Sequence, residues 1–216
     1  MNEKVLNWFR PLYLPIWDPI NELNGTLKIT NDFVRSSNEI EAEGLTNKGF
    51  MDVNLANFYT FFETWKLTWR TTDMLNFKAE GVIDFIPLSQ VMQDVWDDSL
   101  GGNDWNPEMK GFRPLDMFYD IDGFVGFYVG RPEKKGLYVQ HSDSSVSPLH
   151  VDLDGYLRLL GMSKGFGWWQ NALVEIHSGN PMPNVASFKE KMPLIFPDFS
   201  WDAFAALYEE VRIDKY

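Results

Sequence analysis

Few side chains in this chain could do chemistry, and they stand far apart. The three histidines, His141, His150 and His177, lack any close two-histidine ligand spacing, so a zinc site would have to be assembled across the fold. Asp120-Ile-Asp122 and Asp152-Leu-Asp154 each have the two-carboxylate spacing that can hold a divalent cation. With 31 acidic residues in the chain, such pairs also arise by chance. Gly161-Met-Ser163-Lys-Gly165 puts small residues at nucleophile-elbow spacing but is not counted as an elbow, and Gly165-Phe-Gly167 is too short for a dinucleotide loop. Paired acids for glycoside hydrolysis depend on a three-dimensional separation, and nothing in the sequence favours them. There is no cysteine, which excludes disulfides, thiolate metal sites and thiol nucleophiles and suits a reducing cytosol. The reading is of a non-enzymatic domain with no cofactor and no metal; a metal- or carboxylate-dependent hydrolase is the distant alternative.

The elements that would position these residues follow from periodicity. Asp18-Pro19, Ile20, Leu23 and Asn24-Gly25 read as cap, turn and left-handed stop of a very short helix, with a strand over Thr26 to Thr30. From a cap at Asp52, Val53, Leu55, Phe58, Phe61, Phe62 and Trp65 recur at helical intervals. Lys66 to Thr71 and Gly81 to Ile86 alternate as strands, Pro87 ends the second, and Leu88 to Trp96 forms an amphipathic helix. A solvated acidic loop follows over Asp97 to Asp104. Strands are expected at Phe112 to Tyr119, Phe124 to Val129 and Gly136 to Gln140, the first two joined by an Asp122-Gly123 turn. Asp152 caps a helix bearing Leu153, Tyr156, Leu157 and Leu160. Trp168, Ala172, Leu173 and Ile176 form another stripe, a loop runs from Ser178 to Asn184, and Ser200 caps a last helix. Meandering strands with helices around them define an α+β fold with a mainly antiparallel sheet flanked by helices.

Length, at 216 residues, suits one domain. The formal net charge is −12, a field that repels nucleic acid and anionic membranes and attracts a basic protein. Acidity for solubility alone is the plainer explanation. From Asp94 to Asp154 there are twelve acids and five bases, so the middle of the chain carries about seven of the excess charges. Aromatics reach 16% with nine tryptophans, mostly at core-like spacing. The start, MNEKVLNWFRPLYLPIW, is broken by Arg10, Pro11 and Pro15 and has no small-residue cleavage site; no window approaches a membrane span. A cytoplasmic location is expected.

The order of the elements carries a resemblance. A helix leading into LTW, then GVIDFIPLSQVMQDV, GFRPLDMF with a hairpin, KGLYVQHSD and DLDGYLRLL resembles the SUKH superfamily, in particular its Smi/Knr-like branch. The cues fall on Ile86 to Val91, Phe112 to Asp116, Leu137 to Val139 and Leu153 to Leu160. The family core would run roughly over residues 50–162, with an N-terminal extension (1–49) and a helical C-terminal one (163–216) in a single SUKH-like domain. The opening "LP…NG" cue lies far upstream, at Leu14 to Gly25. What the resemblance implies is protein binding: bacterial members look like immunity proteins that neutralise polymorphic toxins, often nucleases, and fungal relatives are regulators linked to cell-wall synthesis. A basic toxin nuclease would be met by an acidic inhibitor through steered association. The partner-binding residues expected on this reading are Trp96, Asp97, Asp98, Asp104, Trp105, Asp120 and Asp122, with the tryptophans as anchors.

Overall fold

Helix α1 (Glu3–Glu22) contains Pro11, Pro15 and Pro19, each four residues from the next. Proline donates no backbone N–H, so each of these residues leaves one carbonyl of the preceding turn without its helical partner. The helix persists because Leu12, Ile16 and Ile20 recur on one face and are buried in the core. It is much longer than the short helix expected before Asn24-Gly25, although it stops where that signal lies, with Gly25 at φ 105°. The computed structural model describes residues 3–35, 53–93, 95–96, 107–118 and 123–215.

Strand β1 (Leu27–Arg35) is followed by α2 (Val53–Phe61), which runs directly into β2 (Phe62–Thr71). Trp65 therefore lies in a strand and not in the helix predicted to include it. It belongs to a second periodicity, in which Trp65, Leu67 and Trp69 all point into the core while Lys66 and Arg70 are exposed. Strand β3 (Glu80–Phe85) leads to α3 (Leu88–Val91). The predicted span to Trp96 is interrupted at Met92 and Gln93, and Val95 and Trp96 are helical again. The Gln90 carbonyl accepts from the Gln93 N–H at 3.2 Å and the Trp96 indole N–H at 2.6 Å, which closes the helix early.

A 3-10 turn (Pro107–Met109) precedes β4 (Phe112–Phe118), β5 (Gly123–Tyr128), β6 (Tyr138–Gln140) and β7 (Val146–Pro148). The short β7 was not foreseen. Four helices complete the chain: α4 (Leu153–Ser163), α5 (Gln170–Ser178), α6 (Val185–Ile195) and α7 (Trp201–Val211). Helix α6 was also unforeseen; Asn184 stands before it in a left-handed conformation without a side-chain cap, and Pro193 lies inside it. The predicted caps of α4 and α7 are present: Asp152 accepts from the Gly155 N–H at 2.9 Å, and Ser200 Oγ accepts from the Ala203 N–H at 3.3 Å.

The seven strands form one sheet in the order β1-β2-β3-β4-β5-β6-β7, each antiparallel to the one before. The expectation of an α+β fold built on an antiparallel sheet thus holds. Helices α1, α2 and α4 pack on one another, and α4 also packs against α7. Leu12 and Ile16 of α1, Leu157 and Leu160 of α4 and Phe204 and Tyr208 of α7 belong to the same core cluster as Trp65 and Phe85 of the sheet. A smaller aromatic cluster joins Phe112, Tyr128 and Tyr138 with Met109. Most rings are thus core residues: Trp65, Trp69 and Trp169 are fully buried.

The joint between β3 and β4 is narrow, with the single pair Phe85↔Asp116. The first half of that edge of β3 is used by the α4–α5 connection, where the Val82 N–H donates to the Gly165 carbonyl and the Gly167 N–H to the Glu80 carbonyl. A register shift between Pro114 and Asp116 re-aims the next side chain, so the carboxylate of Asp116 points into the core.

Candidate functional site

Of the predicted partner-binding residues, Trp96 is the one the structure describes. It is half-buried and packs against the core with its N–H satisfied by Gln90. Asp97, Asp98, Asp104, Trp105, Asp120 and Asp122 lie outside the described residues. Val95, which precedes Trp96 in the chain, is an exposed apolar side chain, 49% accessible.

The elbow-like stretch does spell Gly161-Met-Ser163-Lys-Gly165, but Ser163 is the last residue of a helix and fully buried, and its hydroxyl lies 3.4 Å from the Leu160 carbonyl. An elbow nucleophile sits exposed on a strand-to-helix turn, so this serine is structural. Asp152 is used as a helix cap, which removes the Asp152-Leu-Asp154 pair as a ready cation clamp.

Among the described residues, Asp116 is the most perturbed acid. It is fully buried, accepts the Asp84 N–H at 2.8 Å and the Tyr156 hydroxyl at 2.7 Å, and Gln170 Nε2 donates to that hydroxyl at 3.1 Å. Burial pushes its carboxyl up to about 7, against the lowering effect of the two donors. Zero exposure keeps substrates away, so the group serves the β3–β4 joint.

Lys164 ends α4 in the left-handed region, at φ 55°. Its ammonium donates to the carbonyls of Pro15 and Gly161. The Pro15 carbonyl is available because Pro19, one turn on, has no N–H to offer it. Burial lowers the lysine to about 8. It lines an apolar groove of about 470 Å³ between α1 and α4.

The fold also assembles what the histidine spacing alone did not. His150 precedes α4, His177 is in the last turn of α5, and Asp214 follows α7; one ligand atom from each lies within 4.8 Å of the others. The two imidazoles stack with centroids 3.8 Å apart and planes at 22°. Their Nδ1 atoms stand 3.6 and 3.7 Å from the same Asp214 oxygen, Oδ2. Arg212 holds that carboxylate with two hydrogen bonds of 2.9 Å and keeps it ionised, at about 2. Burial and the neighbouring His177 lower His150, which favours the neutral ring. The His150 backbone is left-handed, at φ 56°, and its carbonyl accepts the Ile213 N–H at 2.9 Å. His150 and Asp214 also border a surface cavity of about 450 Å³ with Tyr128, Lys134 and Tyr138. His141 lies apart, with Nε2 at 3.0 Å from Ser147 Oγ.

Sequence reasoning missed Asp116, Lys164 and Asp214 as functional candidates. Asp116 had a signal, an acid inside an otherwise apolar strand; Asp214, in an exposed-looking tail, had none. No family model, no curated protein and no solved structure matches the chain. Among the described residues, no helix is long and apolar enough to cross a membrane.

Proposed function

We propose that the chain is a non-enzymatic protein-binding domain that captures a basic protein. The observation that carries this reading is the net charge of −12, together with the way the bases are used. Lys66, Arg131, Lys134, Arg158, Lys189, Arg212 and Lys215 each lie against a carboxylate of the chain itself. Pairs this exposed add little stability, but they neutralise the cations locally and leave a surplus of acids to face a partner. The resemblance of the motif order to Smi/Knr-like domains makes a bacterial toxin nuclease the first partner to test, with the chain acting as its immunity protein. A regulatory or scaffold role of the cell-wall-regulator type uses the same surface and differs only in the partner. Trp96 and the residues expected from the sequence, Asp97, Asp98, Asp104, Trp105, Asp120 and Asp122, are the proposed contacts.

A pull-down from the source organism at low and at high salt tests this. Charge-steered capture predicts a basic protein retained at low salt and released at high salt. Failure to retain any basic protein, or retention indifferent to salt, would overturn it.

A further inference from the structure

We propose that His150, His177 and Asp214 form a binding site for a zinc-type divalent metal ion that fastens the segment after α7 to the body of the domain. This goes beyond the protein-binding reading and does not depend on it. Nδ1 to Oδ2 separations of 3.6 and 3.7 Å are too long for hydrogen bonds, so proximity alone does not satisfy these polar atoms. They are close to the spacing of donors around one shared ion. Ligands about 2.0–2.1 Å from a tetrahedral zinc stand roughly 3.3 Å apart, a few tenths of an ångström less than observed.

The donor set selects the class of ion. Two imidazole nitrogens and one carboxylate oxygen suit zinc, with copper and nickel able to compete, whereas calcium and magnesium require oxygen ligands. Three protein ligands leave a position for water. The side chains are 22%, 33% and 26% exposed, so an ion can reach them from solution. Two features of the site oppose the ion and give the proposal its tests. The rings are stacked face to face with planes at 22°, so converging both on one ion must draw the imidazoles out of the stack toward Asp214. Arg212 occupies the same carboxylate, and the ion must displace it; the guanidinium keeps its 2.8 Å bond to Glu209 when that happens.

The three ligands come from three separate places: the loop before α4, the end of α5 and the tail after α7. An ion held by all of them cross-links the tail, which is otherwise tied there by the Ile213 N–H to the His150 carbonyl and by the ion pairs of Arg212 and Lys215.

The purified chain, with no partner present, is titrated with zinc and with cobalt. One zinc per chain is expected, with a rise in melting temperature and cobalt absorption bands of a four-coordinate site. His177→Gln, on an exposed helix end, and Asp214→Asn should each weaken zinc binding at least tenfold while circular dichroism is unchanged. Arg212→Gln should tighten it. His141→Ala, which removes the histidine remote from the cluster, should change nothing. Absence of stoichiometric zinc, equal affinity in folded His177→Gln, or an equal loss in His141→Ala would each overturn the assignment. Because no partner enters the titration, the result stands or falls separately from the salt-dependent capture above.

Discussion

The Tyr156 hydroxyl donates to Oδ2 of Asp116 at 2.7 Å, at a point where both side chains are wholly removed from water. That bond joins α4 to β4, and the second carboxylate oxygen reaches β3 through the Asp84 N–H. One acid therefore holds three elements where the strand ladder is down to a single residue pair. Burying an acid here is tolerable only because its oxygens are satisfied and its charge can be suppressed by protonation.

Stability should consequently fall as pH rises. The folded carboxyl titrates at about 7, above its ordinary value of 3.8, so the native state holds a proton that the unfolded chain has already lost. This contribution is complete below the unfolded value and disappears as pH passes through about 7, an effect on the order of 4 kcal/mol. Urea unfolding from pH 4 to 8 measures it, and Asp116→Asn, which imitates the protonated form, should flatten the slope relative to the unaltered chain. Identical slopes would show that Asp116 does not titrate in this range.

Lys164→Met should destabilise the protein by about 1–3 kcal/mol, because it leaves the Pro15 and Gly161 carbonyls without their donor in a partly dry groove. Restoring Lys164 function by Lys164→Arg is not expected, since the longer planar guanidinium does not fit where an ammonium reaches two carbonyls. Thermal melts of the two variants check both statements.

Gly81→Ala should cost roughly 1–3 kcal/mol. Gly81 lies directly opposite Trp69 in the β2–β3 ladder, and a methyl group there would come within 2.2 Å of the indole Nε1. That nitrogen donates to the Lys164 carbonyl at 2.7 Å, so the added carbon also disturbs the end of α4. The variant Gly81→Ala with Trp69→Phe should recover part of the loss in denaturant unfolding.

Charge reversal at Asp97, Asp98 and Asp104 should slow association with a basic partner more than it speeds dissociation, since long-range charge acts mainly during encounter. Trp105→Ala, which removes a proposed anchor, should instead raise the dissociation rate. Stopped-flow or biosensor kinetics separate the two effects; unchanged rates in both variants would remove this region from the interface.

Local chemistry made much of this architecture readable in advance. The caps at Asp152 and Ser200, the stop at Gly25 and the alternation in β2 and β3 are each decided within a few residues. The failures involve longer-range causes. Pro11 and Pro15 read as breaks and Pro19 as the first turn of a short helix, yet α1 runs through all three because its apolar face is buried and Lys164, from far along the chain, supplies one missing donor. Trp65 satisfies the helical spacing of α2 and the period of β2 at once, and only pairing with Phe33 and Phe85 decides between them. The grouping of His150, His177 and Asp214 depends on three helices docking together, which no local spacing encodes.

A sheet in which every strand pairs with the strands next to it in the chain can be completed strand by strand during synthesis, because closure cost grows only slowly with the length of each connection. Helix α1 is the exception, because α2 and β1 cover only part of it and α4, which covers the rest, emerges from the ribosome only after all seven strands. The part of its apolar face that meets α4 must wait uncovered for that length of time, which makes this helix the segment a nascent-chain chaperone would hold longest.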